Sequence, residues 1–192
     1  NQLFRQLVDQ AHNNDVSFDY VLADNWFGSK ANMSFLTNTL KKSFIIGIKS
    51  NRTLALSEND ALRGRFQRVN SLQLEEDMVH KVWLKGLTFP VNLLIKKFKN
   101  ENGHTGVLYL VSNDLTIDAD RMYQVYQKQW KIEEFHKSIK QNASLAKSPT
   151  KKENTQLNHI FASMVAYCKL EHLNIKRSMN HFTIKYKLIV RA

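Results

Sequence analysis

Cysteine is almost absent: the 192 residues contain one, Cys168. A single thiol excludes an intrachain disulfide framework and suits a reducing compartment. Within FASMVAYCKL it reads as a small buried hydrophobe rather than a catalytic nucleophile. Only two prolines and six glycines occur, and no internal repeat or low-complexity segment is visible. No apolar run reaches the roughly 18 residues that mark a membrane span, and no secretory leader is recognisable. What remains, 43% hydrophobic and 23% charged residues, suits one globular domain with a sizeable core.

Acidic residues are scarce in one part of the chain. Residues 1–120 hold 14 Lys and Arg against 13 Asp and Glu, whereas residues 121–192 hold 14 against 4. Nearly all of the formal charge of +11 therefore lies after residue 120. Such asymmetry points to a polyanion, DNA or RNA before an acidic membrane surface. No helix sets Trp, Phe and Leu opposite a lysine face, which disfavours the membrane. A basic surface serving solubility alone is the competing account.

In chain order, Leu3, Phe4, Leu7, Val8 and Ala11 recur at helical spacing, and Asn13, Asn14 and Asp15 close that helix. FDYVLAD follows as a short strand over 18–23, apolar enough to be covered on both faces. Asp24 stands at its carboxyl end, where open α/β sheets gather catalytic groups; capping of a neighbouring helix is the plainer role for such a residue. After the turn Asn25–Gly28, Ser29 can cap a helix over about residues 30–41. SFIIGI, residues 43–48, reads as another buried strand. Residues 49–70 are polar and basic, with Arg52, Arg63, Arg65 and Arg68. Beyond the acidic turn Glu75–Asp77, strands are expected over 78–85, 91–98 and 106–112, the last two joined by KNENGHT. Pro90 places its strand's start there or at an edge. A long apolar helix over Thr155–Ile175 is expected to pack in the core. A basic end follows, with Phe182 and Tyr186. The chain opens on Asn1 directly into a helical pattern and ends inside HFTIKYKLIVRA, so a segment of a longer protein is expected.

One stretch organises the rest: YQKQWKIEEFHKSIK, residues 126–140. Asp118 is a candidate N-cap, and with no glycine or proline before Pro149 a single helix is expected from there. Val125, Ile132, Phe135 and Ile139 would share a buried flank. Tyr126, Trp130, Glu133, Lys137 and Lys140 would line another. A surface helix with a mixed face is the competing reading. His136 lies within a turn of Glu133 and reads as a surface histidine before a ligand.

This stretch resembles the signature of the hairpin-forming, cut-and-paste DDE insertion-sequence transposases: Tyr, two residues, Arg, three residues, Glu, six residues, Lys. Tyr126, Glu133 and Lys140 occupy those positions, and Gln129 departs from the pattern where the motif has Arg. LADNWFGSK is similar to the segment around the family's second carboxylate. The resemblance implies an α/β, ribonuclease-H-like mixed sheet with flanking helices and a β-rich insertion, incomplete at the N-terminus. Residues 1–48 and 114–192 would form the catalytic core, and 49–113 the insertion.

It further implies a metal-dependent DNA-cleaving and strand-transferring enzyme. Asp24 and Glu133 would be catalytic carboxylates holding Mg²⁺, with Mn²⁺ as a substitute. Glu134 lies about 100° round the helix from Glu133, and the Tyr and Lys spacings select Glu133. Tyr126, Gln129, Trp130, Lys137 and Lys140 would contact DNA, Trp130 by stacking on a base; Arg63, Arg65 and Arg68 are weaker candidates. The family's first carboxylate has no counterpart here, since Asp9 falls in a helix and Asp15 and Asp19 lie too close to Asp24. The chain is therefore expected to be inactive alone. Partners would be transposon ends, target DNA and a second copy, in a bacterial cytoplasm at the nucleoid. The alternatives are a decayed or domesticated fragment that binds DNA without cutting, and an α/β protein for another anion.

Overall fold

The computed structural model describes residues 2–99, 103, 105–148 and 151–191, with the side chains of 187–189 and 191 outside the description. The chain forms two compact units, Asn1–Gln129 and Trp130–Ala192.

The first unit is built on one seven-stranded sheet. In chain order it contains α1 (Gln2–Asn13), β1 (Tyr20–Ala23), α2 (Lys30–Ser34), a π-helical turn (Phe35–Thr39) and β2 (Ser43–Ile48). There follow β3 (Thr53–Ala55), α3 (Glu58–Leu62), β4 (Gln67–Arg68), β5 (Val79–Leu84), β6 (Val91–Lys99), β7 (Thr105–Ser112) and α4 (Ala119–Gln127). The strand order is β1-β2-β7-β6-β5-β3-β4. β1 and β2 are parallel and every other pairing is antiparallel.

The sheet is mixed, as expected, and each anticipated strand is present within a residue or two. β6 starts directly after Pro90, and β6 and β7 form the expected hairpin. Most of the loop KNENGHT lies outside the described residues. The strands of the expected insertion are not set apart, because β7 hydrogen-bonds to β2 and continues one sheet.

Register forces this sheet to curl. β3 follows β2 after residues 49–52, yet it lies four places away in strand order. In a flat sheet four strand spacings come to about 19 Å. The link from Ile48 to Thr53 reaches only about 17 Å when fully extended. The sheet accordingly wraps around one core, in which Phe44, Ile46 and Ile48 of β2 meet Leu54 of β3 and Val82 and Leu84 of β5. Met33 and Leu36 enter this core from α2 and the π turn, and Phe4 and Val8 pack on it from α1. Ile45 points the opposite way, into a second core with Leu94, Leu110, Ile117, Met122 and Val125, so α4 covers the other face. The period-two alternation of a strand thus divides SFIIGI between two cores.

Ser29 and Asp118 cap as anticipated, accepting from the backbone N–H groups of Asn32 (3.2 Å) and Arg121 (2.7 Å). The expected helix over 30–41 is α-helical only to Ser34 before the π turn takes over. Asn113 ties β2 to what precedes it: its carbonyl oxygen accepts from Phe44 N (2.9 Å), and its amide donates to Thr37 Oγ1 (2.9 Å) and Lys42 O (3.1 Å).

The single helix expected through the signature is two helices. α4 ends at Gln127 and α5 (Trp130–Gln141) begins after a turn at Lys128 and Gln129. There the backbone bonds tighten from four residues back to three, with Lys128 N donating to Val125 O and Gln129 N to Tyr126 O. No proline or glycine marks this break, and it coincides with the boundary between the units.

The second unit comprises α5, α6 (Glu153–Arg177) and α7 (His181–Arg191). Its centre is His181, which shares a hydrogen bond with Ser138 of α5 (2.7 Å) and lies 2.8 Å from Glu171 of α6. Tyr167 packs edge-on against both Phe135 and His181. Two expectations are corrected here. α6 buries Ser163 and Leu170, whereas Leu157, Ile160, Phe161, Met164, Val165 and Ile175 are exposed. Cys168 is exposed as well. Apolar residues surround much of this helix, and two neighbouring helices cover only one side of it. No helix among the described residues is long and apolar enough to cross a membrane.

Tyr20 donates a short hydrogen bond to Asp114. Burial, and then that bond, push the Tyr20 phenol up to about 12. Burial opposes ionisation of Asp114, but the bonds from Tyr20 and Thr116 outweigh it and hold the carboxyl below its ordinary value. The folded state thus keeps the Tyr20 proton more tightly than the unfolded chain does. That contribution is complete below the ordinary value of 10.0 and is lost as pH rises toward 12. Tyr20→Phe should remove the latest-titrating phenolate in an ultraviolet titration and flatten the fall in thermal midpoint above pH 10; an unchanged titration would refute this assignment.

Candidate active site

Asp24 stands immediately after β1, beside the parallel strand β2. Its side chain is exposed, and its Oδ1 accepts a hydrogen bond from Trp26 N (2.9 Å). Bonds from Phe27 N to Asp24 O (3.2 Å) and from Ser29 N to Phe27 O (2.8 Å) close the turn. Buried Asn32 holds it from below, donating to Phe27 O (2.9 Å) and accepting from Arg5 of α1 (3.0 Å). Phe27 stacks on Phe4 with ring centres 5.1 Å apart. The carboxylate is thus presented by a turn fixed on several sides.

Two glycines let that turn lie directly on β2. A Cβ at Gly28 would sit 2.7 Å from the carbonyl oxygen of Gly47. A Cβ at Gly47 would meet Asn25 N at 3.1 Å, the Asp24 carbonyl carbon at 3.4 Å and the Tyr126 hydroxyl at 3.5 Å. The backbone of the Asp24 turn and the Tyr126 hydroxyl therefore converge over one point on β2. Burial first, and then the Asp24 charge, raise the Tyr126 phenol above its ordinary value, so its hydroxyl remains a proton donor.

Of the seven candidate residues, the structure brings together Asp24 and Tyr126. Gln129 ends the first unit, partly buried, and its Oε1 is buried with no hydrogen-bond partner. Trp130, Glu133, Lys137 and Lys140 lie on α5 in the second unit. All four are exposed. The break at 128–129 leaves Tyr126 on α4 and Glu133 and Lys140 on α5. On the expected buried flank, Val125 and Ile139 are buried, Phe135 is half-buried, and Ile132 is 53% exposed.

On α5, Glu134 pairs with Lys131 (3.6 Å), and on α6 Glu171 meets His181. Glu133 forms no ion pair among the described residues. Lys137 lies 5.8 Å from the centre of the Phe182 ring.

Sequence reading overlooked Gly28, Gly47 and Asn32. A lone glycine inside the apolar run SFIIGI is a recognised sign of close backbone approach. Asn32 carries no such sign, since only the folded turn makes its amide necessary.

A mixed sheet with flanking helices and an acidic group at the end of a parallel strand is the ribonuclease-H-like arrangement. The family model for the transposase DDE domain matches residues 1–169. The chain belongs to that family, and its substrate class is therefore DNA. Comparison with curated proteins found no match.

Members of this family generally use divalent metal ions. The exposed Asp24 carboxylate suits a hard cation that takes oxygen ligands. Among the described residues, however, no group of three or more His, Cys, Asp or Glu is placed to hold a metal ion. The described residues thus offer no three-ligand site.

The glycine clamp makes a direct prediction. Gly28→Ala should force the turn off β2 and lower stability by about 1–3 kcal/mol, the usual cost of overpacking. A Cβ at Gly106 meets nothing within 4 Å, so Gly106→Ala should change stability by less than about 0.5 kcal/mol. Denaturant unfolding of both variants checks this, and equal effects would contradict the clamp.

Proposed function

We propose that the chain is the catalytic domain of a hairpin-forming, cut-and-paste insertion-sequence transposase, incomplete as a metal site and inactive alone. The observation that carries this reading is the convergence of the Asp24 turn and the Tyr126 hydroxyl on β2, within a chain of the transposase DDE family. Asp24 and Glu133 are the proposed Mg²⁺ ligands, with Mn²⁺ as a substitute. The unpaired, exposed state of Glu133 supports choosing it over Glu134. When bound, the metal would activate the attacking oxygen and neutralise charge on the phosphate.

The protein's own groups would position the DNA. Tyr126, kept protonated by its surroundings, donates to a phosphate oxygen, and Lys140 supplies charge to the same backbone. Trp130 stacks on a base, Lys137 adds a phosphate contact, and Gln129 donates through its amide where the motif has a guanidinium. The partners are transposon ends, target DNA and a second copy of the protein, in the bacterial cytoplasm at the nucleoid.

A second reading, a decayed or domesticated fragment that binds DNA without cutting, is favoured by Gln129 and by the lack of a three-ligand cluster among the described residues. Assaying this domain together with a supplied strand-end Asp for the first carboxylate separates the two, since only the first reading expects Mg²⁺-dependent cleavage.

Binding by the 192-residue chain tests what both readings share. The affinity for duplex DNA should fall steeply with salt, and Lys140→Ala should lower the slope of log K against log salt by about 0.9, the value for one lost phosphate contact. A salt-independent affinity would argue for another anion, and Mg²⁺-dependent cleavage by this chain alone would overturn its proposed inactivity.

A further inference from the structure

Trp26 is the most exposed aromatic group beside Asp24, with 71% of its surface open. Indole rings usually bury their large apolar faces, and an isolated one held in water represents unused binding surface. Trp83 illustrates the contrast: it is half-buried, and Lys81 lies 5.5 Å from its ring. Trp26 makes no ring or cation contact among the described residues.

Its backbone is nevertheless fixed. Trp26 N donates to Asp24 Oδ1, the next residue Phe27 stacks inward on Phe4, and Gly28 lies against Gly47. Two adjacent residues of one tight turn differ in role: Phe27, half-buried against Phe4, anchors the turn, and Trp26 is left exposed. Because the backbone does not need to be ordered on binding, only the two side-chain torsions of the indole remain to be fixed.

We infer that Trp26 is a stacking platform for an unpaired nucleobase flanking the phosphate that Asp24 faces, an inference that rests on the proposed DNA-processing role. Stacking is tolerant of sequence because every base has a π face, and it requires a base that is out of the duplex. This residue is distinct from Trp130, which lies on α5 in the second unit. The exposed Asn25 amide lies next to Trp26 and is available for the edge of such a base.

The test compares a single-stranded oligonucleotide with its fully paired duplex, using fluorescence polarisation and a 2-aminopurine base in the single strand. Trp26→Ala should weaken single-strand binding by about 5- to 150-fold, the range for loss of one base–aromatic stack. Duplex binding should stay within about twofold, since paired bases do not reach the ring. Trp26→Leu, which keeps apolar bulk but no π face, should show the same loss, and Trp26→Phe should recover most of the affinity. The quenching of 2-aminopurine by the wild-type chain should fall sharply in Trp26→Ala and persist in Trp83→Phe, a ring outside the proposed DNA contacts. Wild-type single-strand affinity in both Trp26→Ala and Trp26→Leu would overturn the inference while leaving the DNA-processing role standing. Quenching that persists without Trp26 and disappears without Trp130 would do the same. A wild-type chain that binds neither DNA form would overturn both.

Discussion

β2 is buried on both faces, and the first unit is arranged to satisfy that constraint. Phe44, Ile46 and Ile48 belong to one core and Ile45 to the other. Such a strand needs cover on two sides, which α1, α2 and the curled sheet provide on one and α4 on the other. Gly47 is the one position of β2 with no side chain. The gap is filled by backbone from the Asp24 turn and by the Tyr126 hydroxyl. A packing requirement of the core therefore sets where the candidate carboxylate stands.

The same geometry explains why an exposed carboxylate can be well positioned. Asp24 itself makes one local hydrogen bond through Oδ1. Its orientation comes from neighbours that are buried or half-buried: Asn32, Phe27 and the two glycines. Polar groups buried with all partners in place rigidify what they touch. Asn32 does so by joining α1 to the turn, and half-buried Asn113 joins β2 to the chain that precedes it. These amides hold the sheet end in shape without contributing chemistry of their own.

Local rules explain which parts were legible in the sequence. The β2 limits, the caps Ser29 and Asp118, the strand end at Asp24 and the β6–β7 hairpin depend on near neighbours and on period. The continuation of β2 into β7 depends on pairing across more than sixty residues, which no local pattern encodes. The break after Gln127 has no proline or glycine, so propensity extends the helix through it. For α6, an apolar circumference indicates that burial is needed but not what supplies it. The site was half legible for the same reason: Asp24 follows from position in a strand, whereas its convergence with Tyr126 follows from tertiary packing.

Charge then separates two tasks that one basic surface could otherwise blur. Residues 121–192 carry 14 cationic side chains against 4 carboxylates, so on the proposed reading an amide at Gln129 in place of a guanidinium would subtract little from the general attraction to DNA. Each phosphate contact contributes roughly one unit to a salt slope. What an amide lacks is the planar fork that fixes a phosphate oxygen pair in direction. On the proposed reading, the departure at 129 would therefore bear on alignment of the strand more than on its capture. On the proposed reading, alignment would then come from groups whose own positions are fixed by packing. Tyr126, held at Gly47 beside Asp24, would meet that requirement, and the exposed lysines of α5, each on a flexible stem, would not.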